Sequence, residues 1–236
     1  MNKQEKKKDQ QSGYMNTRRQ ILNKNSSFIV QEAYKTLRTN VRFFLQHKGC
    51  KRISITSAMA GEGKSITLLN LAISVAEDGQ RVLLIDADLR RPALARLLVE
   101  KATPGLSNIL AGLATSEEAI RKEMYPNLDV LFSGDIPPNP SELLGSDKMR
   151  ELIEELSEQY DYILVDTPPI NVVSDASIVT NLLDGVLLLV RQGSSRKDSV
   201  RRAVSNLELT GIVPLGFVLN GVDFNSGKTY NYGYYD

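Results

Sequence analysis

The sequence predicts a three-layer α/β fold, with a mostly parallel central sheet covered by helices on both faces. Two observations carry this. Short runs that are apolar along their whole length alternate with segments of helical spacing, the pattern of a parallel sheet buried on both sides. Several of those runs also end in an acid or a glycine-rich turn, and ligands of open parallel sheets bind beyond the carboxyl ends of the strands.

Residues 1–26 are polar and carry Lys6, Lys7, Lys8, Arg18 and Arg19, so they are expected to be a flexible basic arm. In 27–46, Val30, Ala33, Tyr34, Leu37, Val41, Phe44 and Leu45 recur at helical spacing. Glu32, Lys35 and Arg38 form a charged stripe on that helix, either a solvated face or a subunit contact. Strands are expected at 53–56, 81–88, 128–132, 160–166, 185–190 and 214–219. Helices are expected at 66–76, at 93–100, in short pieces to about Met124, at 141–159 with Ser141 as N-cap, at 175–182 and at 198–209. The domain therefore spans 27–221, and 222–236 is a flexible, polar tail. Four of the nine tyrosines, Tyr230, Tyr232, Tyr234 and Tyr235, fall in the last seven residues, where nothing is patterned to bury them.

Composition excludes several classes. At 42% hydrophobic and 24% charged the chain is an ordinary globular protein, and a net charge of +1 gives no footprint for nucleic acid. The single Cys50 excludes an internal disulfide, and His47, the only histidine, gives little support to histidine chemistry. No apolar run approaches the roughly 20 residues that span a bilayer, and the start lacks the apolar core of a signal peptide. A cytoplasmic protein is expected.

The chemistry lies at the strand ends. Ser57-Ala58-Met59-Ala60-Gly61-Glu62-Gly63-Lys64-Ser65 stands between an apolar strand and a helix, the context of a P-loop, although Ala58 occupies the place of the usual first glycine. Glycines let successive N–H groups turn inward around phosphate oxygens, and the helix N-terminus adds its dipole. The P-loop makes the expected fold that of a P-loop NTPase. Gly61, Glu62, Gly63, Lys64, Ser65 and Ile66 form the expected cradle, with Lys64 on the β- and γ-phosphates and the Ser65 hydroxyl on Mg²⁺. Asp86, Asp88 and Asp166 converge on the same sheet edge. Mg²⁺ prefers carboxylate, hydroxyl and water oxygens, so Asp166 could hold a metal-bound water, and Asp86 and Asp88 add a second pair of carboxylates near the γ-phosphate. Of that pair one could act as a base toward an attacking hydroxyl and the other bind metal, although Asp88 alone could instead be a helix N-cap.

These blocks, together with Leu83 to Pro92, Ile163 to Pro169 and the tyrosine tail, resemble the bacterial tyrosine kinases that regulate capsular and exopolysaccharide synthesis. The resemblance covers about 27–236. It implies transfer of the γ-phosphate of ATP to tyrosine with Mg²⁺, with Ser65 and Asp88 as metal ligands, Asp166 acting through water and Asp86 as the candidate base for the phenol, and autophosphorylation at Tyr230, Tyr232, Tyr234 and Tyr235. It also implies oligomerisation through Glu32, Lys35 and Arg38 as a ring, with Lys35 standing where the family has Arg. Further implications are activation by a transmembrane polysaccharide co-polymerase-type adaptor at the inner face of the membrane, and reversal by a protein-tyrosine phosphatase. Arg201 and Arg202 are expected on the base side of the nucleotide, and Asn220 near adenine by analogy with relatives. Two rival readings are a positioning ATPase and a catalytically silent, ATP-bound regulator. Against the first stands Met59, at the position where positioning ATPases carry a signature lysine.

Overall fold

The computed structural model describes residues 20–222. Its elements in chain order are α1 (Phe28–Phe44), β1 (Lys51–Ser57), α2 (Lys64–Glu77), β2 (Val82–Asp86), α3 (Leu94–Leu98), α4 (Leu106–Leu110), α5 (Ser116–Ala119), β3 (Ile120–Tyr125), β4 (Leu128–Leu131), α6 (Pro140–Leu144), α7 (Asp147–Ser157), β5 (Tyr162–Asp166), α8 (Asp175–Thr180), β6 (Gly185–Arg191), α9 (Lys197–Glu208) and β7 (Gly216–Asn220). The seven strands form one sheet in the order β3-β4-β2-β5-β1-β6-β7. All pairings are parallel except β3 with β4.

Burial on both faces explains the apolar runs. Every residue of β2 and β5 is buried. On one face α2 packs Leu68, Leu71, Ala72 and Val75 against Ile53, Leu84 and Leu164; on the other, Leu83, Ile85 and Ile163 meet Leu152, Leu156 and Met149. Val82, Leu84 and Asp86 share a face by strand alternation, so an apolar stripe ends in a carboxylate on the α2 side. Asp86 and Asp166 are register partners, which places the ends of β2 and β5 side by side.

The structure differs from the sequence reading in four places. First, the short helices expected to run to Met124 stop at Ala119, and 120–125 is an edge strand. It is antiparallel because Pro126 and Asn127, the latter at φ 62, form a tight turn into β4. Second, the helix expected over 141–159 is two helices that break at Gly145. Pro140 takes the first position of α6 and Ser146 caps α7. Ser141 is therefore not a cap; its hydroxyl donates to Asp175 at 2.7 Å. Third, β2 ends at Asp86, so Asp88 lies in a loop. Fourth, residues 20–26, expected in the arm, pack on the domain. Leu22 is buried in the main core, its N–H donates to Asn70 Oδ1 at 2.8 Å, and the Asn70 amide donates to the Gln20 carbonyl at 2.9 Å. The tail tyrosines Tyr230, Tyr232, Tyr234 and Tyr235 lie outside the described residues.

Candidate active site

Three strand ends build the site: β1 feeds the P-loop, β2 feeds the loop that carries Asp88, and β5 ends in Asp166. The P-loop turns through Gly61 at φ 82 and Gly63 at φ 102, backbone that a residue with a Cβ rarely adopts. Gly63 is also the N-cap of α2 and supplies no side-chain cap, which leaves the first N–H groups of the helix facing the turn. A Cβ on Gly63 would stand 2.3 Å from Asn220 Nδ2. Lys64, next in line, is only 8% exposed.

The loop is braced from the ends of the neighbouring strands β6 and β7. Glu62, expected in the cradle, turns its carboxylate away from it: Oε2 accepts the Met59 N–H at 3.1 Å and Oε1 accepts the Ser195 hydroxyl at 2.5 Å. Asn220 donates to the Glu62 carbonyl at 2.9 Å, and Arg191 donates to the Gly61 carbonyl at 3.1 Å. Only the backbone of Glu62 is thus left to the cradle. Asn220 sits where α2 begins, beside Ile66, at the end of a cavity of about 550 Å³ lined also by Ile29, Tyr34, Leu37 and Leu219. Ser195 and Arg191 carry no signal in the sequence; Ser195 is 133 positions from Glu62.

The acids divide into distinct roles. Asp86 is fully buried, with Oδ1 accepting from the Asp88 N–H and Oδ2 accepting from the N–H groups of Ala93 and Leu94 at 3.1 and 3.0 Å. Burial, reinforced by the charge of Asp166, pushes its carboxyl up to about 8. Asp88 keeps a 9% exposed edge and accepts the Arg91 N–H at 2.9 Å. Asp166 is buried, and its Oδ1 has no hydrogen-bond partner among the described residues. Burial pushes it to about 6, against the opposing pull of Lys64 and the Ser65 hydroxyl. A buried carboxylate oxygen without a donor is costly unless something positive meets it. Together with Ser65 and Asp88, that oxygen fits a small hard cation, the chemistry of Mg²⁺.

Beyond these, the structure holds Arg90 against Asp175 and Ser141. Other expected residues stay apart. Arg201 and Arg202 are exposed on α9, Arg201 pairs with Asp198 in the same helix, and neither bonds to the P-loop among the described residues. In the charged stripe of α1, Glu32 and Lys35 pair with each other at 2.7 Å. Arg38 instead turns onto its own domain, donating to the Ser74 carbonyl at 2.6 Å and facing Asp78 at 3.4 Å.

Residues 50–192 match the family described as an AAA domain. The chain is 42% identical over 204 residues to the tyrosine-protein kinase YwqD of Bacillus subtilis (strain 168), covering 86% of this chain and 85% of that one. It belongs to the bacterial tyrosine-protein kinases. The kinase domain of Escherichia coli tyrosine kinase ETK superposes with a TM-score of 0.80 at 38% identity, over 87% of this chain and 80% of that one. A more distant likeness, to the septum site-determining protein MinD complexed with Mg-ADP from Pyrococcus horikoshii, has a TM-score of 0.61 at 29% identity and covers 72% and 70% of the two chains. The fold is thus that of P-loop NTPases, and this kinase has the buried lysine, paired glycines and acid-lined sheet edge that such chemistry needs.

Proposed function

We propose that this tyrosine kinase transfers the γ-phosphate of ATP to the tyrosines of its own C-terminal segment, Tyr230, Tyr232, Tyr234 and Tyr235, in the service of capsular or exopolysaccharide synthesis. The observation that carries the reading is Lys64 and the partnerless Asp166 oxygen, both buried at one sheet edge beside the P-loop. N–H groups at the start of α2 and the Lys64 ammonium take up the phosphate charge as it spreads over oxygens in the transition state. Ser65 and Asp88 would hold Mg²⁺ directly and Asp166 through water. A divalent ion held by these residues would supply positive charge that offsets the negative charge developing on the leaving group. Ile66 and Asn220 would flank the adenine in the cavity beside α1. The phenolic oxygen forms the new bond to phosphorus as the bond to the ADP oxygen breaks, and the phenolic proton passes to a carboxylate.

Asp86 is the candidate for that proton. A second reading is favoured by its three backbone contacts: Asp86 orders the loop and does not touch the substrate. The variant Asp86→Asn separates the two.

Among the described residues no helix is long and apolar enough to cross a membrane. Recruitment to the inner face of the membrane would fall to a transmembrane adaptor of the polysaccharide co-polymerase type. A ring of subunits, with each tail entering a neighbour's site, is the matching assembly. Each phosphate adds about −1.5 to −2 charges, so a modified tail repels itself and leaves the ring until a protein-tyrosine phosphatase resets it. The test is intact mass after incubation with Mg-ATP and the adaptor's cytoplasmic segment, beside Lys64→Met. Phosphates mapping to 230–235 and absent from the control support the reading. ATP turnover without added mass would identify a positioning ATPase, and nucleotide binding without either a silent regulator.

A further inference from the structure

Asp175 is the first residue of α8, and its side chain is fully excluded from solvent. Burying a carboxylate costs several kcal/mol unless it is paired and hydrogen-bonded. Here the pairing is two-pronged: Arg90 Nε donates to Oδ2 at 2.7 Å and Nη2 donates to Oδ1 at 3.1 Å. The Ser141 hydroxyl donates to Oδ1 at 2.7 Å and itself accepts from Arg90 Nη2 at 3.0 Å, closing a three-membered network across α6, α8 and the β2–α3 loop. The opposing cation and hydroxyl outweigh burial and hold the Asp175 carboxyl below its ordinary value.

What this network touches makes it more than a surface clasp. Arg90 lies two residues from Asp88, in the loop that would carry a cation ligand. The other hydrogen bonds of that loop are largely its own: Asp88 to Arg91, and Asp86 to Asp88, Ala93 and Leu94. Its root is tied to β5 by the Ala87 N–H on the Asp166 carbonyl at 2.9 Å, and Leu89 packs in the core without directional constraint. Among the described residues, Arg90 is the only side chain of 87–92 that hydrogen-bonds to another element. At its far end, Asp175 heads the helix that follows the Asp166 loop. That loop is fixed in turn by Thr56 on the Pro168 carbonyl and by Thr167 on the Ile55 carbonyl. The network therefore ties the loop that bears Asp88 to the head of the helix that follows the Asp166 strand end.

We propose that Asp175 and Arg90, with Ser141, are positioning residues: a latch that sets Asp88 against Asp166, so that productive binding of a divalent cation with the nucleotide depends on a pair that touches neither. This inference rests on the proposed use of Asp88 and Asp166 as the cation side of the site. Lysine at 90 keeps the charge and loses the fork, and asparagine at 175 keeps the shape and loses the charge.

The experiment follows a fluorescent ATP analogue bound to the full chain as Mg²⁺ is titrated, for wild type, Arg90→Lys, Asp175→Asn and the milder Ser141→Ala. Thermal melts are recorded on the same samples. We expect unchanged analogue affinity in EDTA, a rise of about tenfold or more in the Mg²⁺ concentration at half-saturation for Arg90→Lys and Asp175→Asn, and a smaller rise for Ser141→Ala. A lowered melting temperature with an unmoved Mg²⁺ midpoint would make the network structural only and overturn the proposal. Unchanged melts and midpoints would overturn it as well. If wild type itself binds the analogue equally with and without Mg²⁺, the reading of the acids fails first, and the latch with it.

Discussion

Replacing Asp86 by asparagine is the sharpest perturbation of this site. The carboxyl is held near 8 where an unburied one lies at 3.8, first by burial and then by Asp166. At about 1.4 kcal/mol per pH unit of that difference, the ionised group costs the folded state at most roughly 5–6 kcal/mol. The amide removes that cost but forfeits at least one of the charged hydrogen bonds to Asp88, Ala93 and Leu94, worth about 1.5–3 kcal/mol. The balance favours the variant by roughly 2–4 kcal/mol above pH 8, and melting temperature moves about 2–4 °C per kcal/mol in a chain of this size. The folded state keeps a proton on Asp86 that the unfolded chain releases near pH 4. The contribution of Asp86 to wild-type stability therefore falls as pH rises from about 4 to about 8, and Asp86→Asn removes that contribution. The assay is scanning calorimetry in EDTA across that range, with phosphotransfer followed by intact mass on the same protein. A variant less stable than wild type at pH 8 would refute the electrostatic reasoning. A stabilised variant that has lost about 10²–10⁴ of its rate identifies the base, whereas one within tenfold of wild type leaves Asp86 an organiser of the loop.

Three further outcomes are expected. Gly63→Ala forces a Cβ to 2.3 Å from the Asn220 amide at a φ of 102, so nucleotide binding should be lost; retention of wild-type affinity in equilibrium dialysis would show that the turn is not the cradle. Leu22→Ala should lower stability in urea unfolding by about 2–3 kcal/mol, because this residue of the expected arm is buried in the core; no change would return residues 20–26 to the arm. Burial opposes ionisation of Asp184, but Arg52 at 3.0 Å and the Arg52 N–H prevail and hold its carboxyl below the ordinary value. The stability this pair contributes is present above the ordinary carboxylate range and is lost as pH falls through the folded value. Asp184→Asn should thus cost roughly 2–3 kcal/mol at pH 7 and progressively less as pH falls below the ordinary carboxylate range, and a cost that does not change with pH would separate Asp184 from acid unfolding.

Legible in the sequence were the layer architecture, six of the seven strands, the P-loop and the placing of Asp86, Asp88 and Asp166 at one sheet edge. Those features are local: an apolar strand buried on both faces, a glycine at positive φ and an acid at a strand end each show in a window of a few residues. The missed strand β3 is an edge strand with a mixed pattern, and only its pairing with β4 distinguishes it from the short helices expected there. Packing of the elements fixed which way the side chains turn. It sent Glu62 to Ser195, Arg38 to Ser74 and Asp78, Ser141 and Arg90 to Asp175, and residues 20–26 onto Asn70. It also sorted three similar acids into a buried carboxyl held by three backbone N–H groups, a nearly buried carboxylate in a loop, and one with a single oxygen unpartnered among the described residues. Those outcomes depend on desolvation and on partners tens of residues away, and neither has a period or a spacing in the chain.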